Sequence, residues 1–400
     1  MIGISKLYCG TVEASDPIRY GRDSARLPSH LLQFSKDKKP VVVWNVTRRC
    51  NLDCLHCYAK ADPKGAPAEL TTEEGFALLE DLASFGVPVV LFSGGEPLMR
   101  PDLTELIKKA VGLGMRAVVS TNGTLITKAK ARELKTLGLS YVGISLDGLE
   151  EVNDRFRKKE GAYAAALKGI ENCQEAGLKV GLRFTINRRN AGEVAKLFDL
   201  MWERRIPRIC FYHLVYSGRG SELIEEALEP QETRRIVDLI LDRTKELHRR
   251  GHPAEVLTVD NHCDGPYVYL RLLEEDPARA AEVMTLLEWN QGNNTGRGIG
   301  CISWDGTVHP DQFWRHLALG NVRERPFSRI WTDMDIETLK ALRERKEHLH
   351  GRCAECRWLT TCNGNFRVRA EAMTGDLWAP DPACYLTDAE IGLTETGRRG

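Results

Sequence analysis

Six apolar, β-branched runs recur through the first half of the chain: VVVWNV (41–46), PVVLFS (88–93), RAVVS (116–120), YVGIS (141–145), VGLRFTI (180–186) and RICFYHL (208–214). Helical patterns separate them, at about 71–86, 101–113, 127–138, 161–177 and 191–205. Thr71 with Glu74 spells a capping box, Pro101 suits a first helical turn, and Gly86, Gly114, Gly138 and Gly177 stand where helices should stop. Continuous apolar strands need cover on both faces, so their alternation with helices predicts a parallel sheet. Six such units predict an α/β fold, a partial or full α/β barrel.

After about residue 220 the rhythm breaks. Residues 222–250 and 276–289 read as charged helices, and GNNTGRGIG (292–300) as a glycine-rich loop. CISWDGTVHPDQFW (301–314) reads as a β-hairpin turning at Asp305-Gly306. A helix over 333–349 and a cysteine-rich tail follow, and TETGRRG at the end reads as disordered. The predicted units are an N-terminal extension (1–39), the barrel (40–220), a helical linker with the glycine-rich loop (221–299), a cysteine-bearing domain (300–390) and a tail (391–400).

Composition narrows the function. The chain of 400 residues is 42% hydrophobic and 28% charged, as a globular protein should be. Lys+Arg and Asp+Glu both number 56, so the basic excess of a general nucleic-acid binder is missing. No apolar run approaches the roughly 20 residues of a membrane helix, and MIGISKLYCG lacks the pattern of a secretory signal. A cytoplasmic protein is expected, without a nucleic-acid or membrane partner. In a reducing compartment, clustered cysteines argue for metal or catalysis rather than disulfides. Of the 12 cysteines, Cys9, Cys173, Cys210 and Cys263 stand apart from the clusters, and lone cysteines usually pack as small hydrophobes.

The chemistry-bearing residues track the strand ends, where parallel barrels place their active sites. RRCNLDCLHCY, with Cys50, Cys54 and Cys57, follows the first strand. SGGEP (93–97) follows the second, STNGT (120–124) the third and SLDG (145–148) the fourth. Arg183 and Thr185 lie in the fifth, and His213 ends the sixth. Three thiolates on a [4Fe–4S] cube leave one iron open to an outside chelator. A structural zinc ion wants four ligands, so the run makes a poor zinc site.

CNLDCLHCY with GGEP resembles the radical S-adenosylmethionine (SAM) superfamily. The resemblance implies a partial (β/α)6 barrel of the radical SAM type, with SAM held by its amino and carboxylate groups at the open iron. It implies that Gly94, Gly95 and Glu96 hold the methionine amino group and that Tyr58 lies near the adenine. Ser120 and Asn122 match positions that meet the ribose or the carboxylate, and Ser145, Asp147 and Arg183 would line the same rim. For Asn122-Gly123 and Asp147-Gly148 a plain turn-forming role stays equally open. The tail, RCAECRWLTTCNGN and then Cys384, resembles the SPASM or twitch extension that carries auxiliary clusters. Cys353, Cys356, Cys362 and Cys384 would ligate a second [4Fe–4S] cluster, Cys301 being the alternative fourth ligand and zinc an alternative metal. Phe366 and Asp311 stand where the full form has further cysteines, so one auxiliary cluster is expected rather than two.

TVHPDQFW (307–314) and the N-terminal MIGISKLYCGTVEASDPIRYGR resemble radical SAM enzymes that edit tetrapyrroles in siroheme-dependent haem pathways. The implied reaction removes two acetate side chains from didecarboxysiroheme, giving iron-coproporphyrin III. A low-potential electron donor such as ferredoxin or flavodoxin would be the partner. Haem d1 propionate removal, iron-coproporphyrin III decarboxylation and peptide modification are the alternatives. A flat ring with an acidic edge needs aromatic walls and cations. Arg19, Arg22, Arg26, Arg183, Arg297, Arg315 and His316 are candidates for its carboxylates. His213, His262 and His309 are candidates for its iron, and the resemblance adds weight to His309 and Asp311.

Overall fold

The computed structural model describes residues 1–11, 16, 39–66 and 68–393. Arg19, Arg22 and Arg26 lie outside the described residues. The described strands are β1 (Ile2–Gly3), β2 (Val41–Thr47), β3 (Val89–Gly94), β4 (Arg116–Thr121), β5 (Tyr141–Ser145), β6 (Val180–Ile186), β7 (Arg208–His213), β8 (Glu255–Val259), β9 (Ile299–Ile302), β10 (Thr307–His309) and β11 (Gly320–Asn321). They form one open sheet ordered β1-β8-β7-β6-β5-β4-β3-β2-β9-β10-β11. The pairings from β2 through β8 are parallel. This is the partial barrel of the sequence, extended by a seventh parallel strand, β8, which the sequence reading passed over. EVLTV is short, but every residue of it is buried.

Alternation along each strand divides the two faces. On β2, Val42, Trp44 and Val46 join the hydrophobic core under the helices, while Val43 lines the interior cavity. On β3, Val90 and Phe92 face the core, and Leu91 and Ser93 the cavity. On β6, Leu182, Phe184 and Ile186 face the core, and Arg183 and Thr185 the cavity. The outer face carries the stability and the inner face carries the polar chemistry. Gly143 on β5 is part of that division. A Cβ there would lie 2.8 Å from the Arg183 side chain, so glycine leaves room for the guanidinium.

Most predicted helices appear close to their expected limits, among them Thr72–Phe85 with its Thr71/Glu74 capping box. The stretch 222–250 divides into a 3-10 segment, Gly218–Glu226, and a helix, Pro230–Arg249, because Pro230 begins a new first turn. The predicted helix over 333–349 is also broken. Glu337–Arg343 is helical, a single 3-10 turn follows, and the buried Arg345 side chain reaches Asn293 and the Thr295 carbonyl. The hairpin forms as read, and its first strand runs parallel to β2. That pairing fixes the cysteine-bearing C-terminal segment to the barrel's edge.

Trp44 is fully buried, 5.9 Å from the Phe92 ring, and packs against the helix at Gly75, where an added Cβ would come within 2.9 Å of it. Replacing Trp44 with Ala should cost about 3–5 kcal/mol, read as a lower denaturant midpoint at unchanged slope.

Candidate active site

The loop carrying Cys50, Cys54 and Cys57 is held by backbone contacts rather than by packing alone. Gly95 N–H donates to Thr47 O at 2.8 Å, and Glu96 N–H to Arg49 O at 2.7 Å. A Cβ on Gly94 would meet Thr47 O at 2.4 Å, and one on Gly95 would meet Arg49 O at 2.2 Å. The two glycines therefore exist to let the root of the cysteine loop lie against them. The far side of the loop is clamped by Arg219, which donates to Cys54 O at 2.8 Å and Ala61 O at 3.2 Å and pairs with Asp53. Sequence reasoning missed Arg219, which lies 162 positions after Cys57.

All three thiols line one cavity with Tyr58, Ser93, Gly94, Gly95, Ser120, Asn122, Ser145, Arg183 and His213. Burial pushes the Cys50 thiol up to about 12 and raises Cys54 as well. Arg157 opposes this at Cys54, donating to its Sγ at 3.4 Å. Asp147, also expected on the rim, sits behind the wall. It is fully buried and pairs with Arg157 at 2.7 Å and His56 at 3.3 Å. Burial works against its carboxylate, but the charges of Arg157 and His56 outweigh that and hold its pKa below the ordinary value. Its position supports the cysteine loop rather than the cavity.

Glu96 likewise does not line the cavity. Its carboxylate accepts from Thr121 Oγ1 at 2.7 Å, Asn122 N at 2.8 Å and Leu98 N at 3.1 Å, tying the β3 and β4 ends together. Burial raises its pKa despite those donors. Asn122 serves both readings: it closes a turn with Thr124 and reaches Asn51 at 2.8 Å, while lining the cavity. Tyr58 donates to Asn45 Oδ1 at 3.0 Å and stands 3.1 Å from Ser93 Oγ. Arg183 lies over the Tyr212 ring at 4.7 Å, and among the described residues no carboxylate pairs with it. Asp260, just past β8, also lines the cavity; burial pushes its carboxyl up to about 7.

Tyr58 and Phe313, whose rings meet edge to face at 5.4 Å, also line a second, outer cavity of 650 Å³. Arg48, Lys60, Tyr216, Arg315 and His316 complete much of its wall. Arg315 and Arg48 both stand over the Trp304 ring, at 4.2 and 5.9 Å, and neither has a carboxylate partner among the described residues. Burial lowers the Arg315 pKa. Arg48 and Lys60 went unremarked in the sequence because they flank the cysteines.

Three other candidates fall elsewhere. His309 is buried with both nitrogens engaged, Nε2 at 2.9 Å from Ser303 Oγ and Nδ1 at 2.8 Å from Leu317 O. Asp311 accepts from Thr295 Oγ1 and from the Phe313 and Trp314 amides, bracing the hairpin. Neither borders the cavities, and Arg297 is exposed. The HPDQFW segment contributes instead through Gln312, Phe313 and Arg315.

Cys353, Cys356, Cys362 and Cys384 surround a separate small pocket with Trp358, Leu359, Leu386 and Ile391. Cys263, expected to be a lone packing residue, is a fifth thiol there, and its Sγ donates to Asn261 Oδ1 at 3.0 Å. Cys301 does not border this pocket; Asn45 Nδ2 approaches its sulfur at 3.5 Å. Phe366 packs with Val215 and Trp314 and meets Phe313 edge to face at 5.5 Å. Among the described residues no three His, Cys, Asp or Glu side chains converge on one point as a single metal ion requires. Thiols spread around a pocket suit a cube, whose irons each take one thiolate.

The family model described as Radical SAM superfamily matches residues 44–201, and the one described as Iron-sulfur cluster-binding domain matches 295–357. Fe-coproporphyrin III synthase of Methanosarcina barkeri is 66% identical over 99% of this chain and 100% of its own length. The chain belongs to the radical SAM superfamily. Pre-heme d1 synthase of Dinoroseobacter shibae is 44% identical over 88% of both chains. In fold, this radical SAM chain is like anSMEcpe with bound AdoMet and a peptide (TM-score 0.66, 18% identity, 86% of this chain and 94% of that one). It is also like Streptococcus suis SuiB bound to S-adenosylmethionine (TM-score 0.69, 19% identity, 87% and 78%). Membership brings a [4Fe–4S] cluster, SAM and auxiliary iron–sulfur binding. The donor set fits them: three soft thiolates beside a polar wall, and a second thiol-lined pocket. Among the described residues no helix is long and apolar enough to cross a membrane.

Gly95→Ala should drive the cysteine loop off its seat and remove about four irons per chain, the content of one cube, while the auxiliary pocket stays loaded. Iron analysis of the reconstituted protein reads this. Arg157→Ala should cost about 3–5 kcal/mol in denaturant unfolding, because Asp147 is left buried without its main partner.

Proposed function

We propose that this enzyme removes two acetate side chains from didecarboxysiroheme, giving iron-coproporphyrin III. The observation that carries the reading is the outer cavity. It joins aromatic walls, Tyr58, Tyr216 and Phe313, to cations without acidic partners among the described residues, Arg48, Lys60 and Arg315. A planar ring with several carboxylates needs that combination. The name and 66% identity of the Methanosarcina barkeri relative support it.

In this reading Cys50, Cys54 and Cys57 hold the cube, and Cys353, Cys356, Cys362 and Cys384 hold the auxiliary cluster. Ser120, Asn122, Ser145 and Arg183 orient the polar groups of SAM, and Tyr58 flanks it. When bound and reduced, cube and SAM supply a 5′-deoxyadenosyl radical for hydrogen abstraction. The protein's part is to bring the ring from the outer cavity into the inner one past Tyr58 and Phe313, exclude water and neutralise carboxylates. Glu96 and Asp147 act through the loops they brace. The electron comes from a low-potential donor such as ferredoxin or flavodoxin.

The 44% identity to a pre-heme d1 synthase makes propionate removal the second reading. Anaerobic incubation with SAM, dithionite and each iron tetrapyrrole separates them. Release of acetate from didecarboxysiroheme, with a mass loss for two arms, is the expected result. Turnover only with propionate loss, or only of iron-coproporphyrin III, would reject it. Arg315→Ala should raise KM by roughly 10–100-fold with a smaller change in kcat, the weight of one charge-assisted contact.

A further inference from the structure

Of the histidines considered for the substrate iron, the described structure removes two. His309 has both ring nitrogens engaged within the hairpin. His262 is buried outside the two cavities, with Nε2 at 3.3 Å from the N-terminal amine. His213 differs. It ends β7 on the wall of the inner cavity, and its side chain is only 8% exposed. Its Nε2 lies 2.9 Å from Asp264 Oδ2, and Tyr385 donates to Asp264 Oδ1 at 2.8 Å. Asp264 is fully buried.

A carboxylate can only accept, so Nε2 carries the proton and Nδ1 keeps its lone pair. Among the described residues Nδ1 has no partner. A histidine whose far nitrogen donates to a carboxylate, itself held by a further donor, is the usual arrangement behind a metal-bound imidazole. Two other rings border the cavities. His56 belongs to the cysteine loop and pairs with Asp147, so it faces the cube's end. His316 sits on the outer rim with Nε2 3.1 Å from Glu371, which accepts from Trp314 Nε1 at 2.6 Å, but at 59% exposure it is open to water rather than enclosed against a ring.

Resting on the reading above, we propose that His213 Nδ1 is an axial ligand of the substrate's iron, oriented by Asp264 and Tyr385. The bond is the donation of one lone pair to the metal, with no proton or electron exchanged. It anchors the ring by its centre while the arginines take its edge.

The test uses the reconstituted holoenzyme, with iron(III) coproporphyrin III and metal-free coproporphyrin III as probes. The wild type should bind the iron form more tightly and show an imidazole-type spectrum. Its ferrous nitrosyl complex should show nitrogen splitting from the ligand opposite NO. His213→Ala should lose the iron preference, a change of about 10-fold or more, while still binding the metal-free ring, which shows that the fold is intact. Added imidazole should restore the spectrum. Asp264→Asn should weaken the iron preference, and His309→Ala and His316→Ala should keep it. A wild type that binds both rings equally, or a His213→Ala enzyme that keeps the nitrogen signature, overturns the proposal alone. Failure of the wild type to bind either ring overturns the tetrapyrrole reading and this proposal with it.

Discussion

Everything at the inner cavity depends on one close approach of two stretches of main chain. The segment after β2 can lie against the end of β3 only because Gly94 and Gly95 lack side chains. That contact aims the first cysteine, and Arg219 and Arg157 hold the rest of the loop. The motif is therefore mechanical before it is chemical. Its glycines place backbone, and its carboxylate ties two strand ends together.

The architecture separates tasks by strand face. Outward residues bury themselves under helices, and inward residues at the strand ends are small or polar. A parallel barrel leaves those ends clustered at one opening. The C-terminal hairpin then closes that opening from the side, because β9 pairs with β2. Phe313 and Gln312 reach the cavity through this pairing. The C-terminal segment thus shapes the substrate space as well as presenting thiols.

Much of this was legible in the sequence because it is local. The six strands, their helices and the three-cysteine run are written in short patterns, and the hairpin turn in Asp305-Gly306. What escaped was long-range. Cys263 looked solitary, yet it shares a pocket with Cys384, 121 positions later. Asp147 and Glu96 carried the right motif, but their carboxylates turn into the wall, a matter of side-chain direction that spacing does not encode. His309 and Asp311 were noticed for their motif and prove to brace it, while their neighbours Gln312, Phe313 and Arg315 face the ligand space. β8 was overlooked because five residues after a long charged helix make a weak local signal.

The burial of the Cys50 thiol has a consequence for the protein before it acquires metal. A sulfur that holds its proton to about 12 is a poor nucleophile at neutral pH. In the newly folded chain this sulfur resists disulfide exchange and electrophiles until iron arrives. Loading must then expel its proton as the bond to iron forms, so maturation should slow as the medium turns acidic.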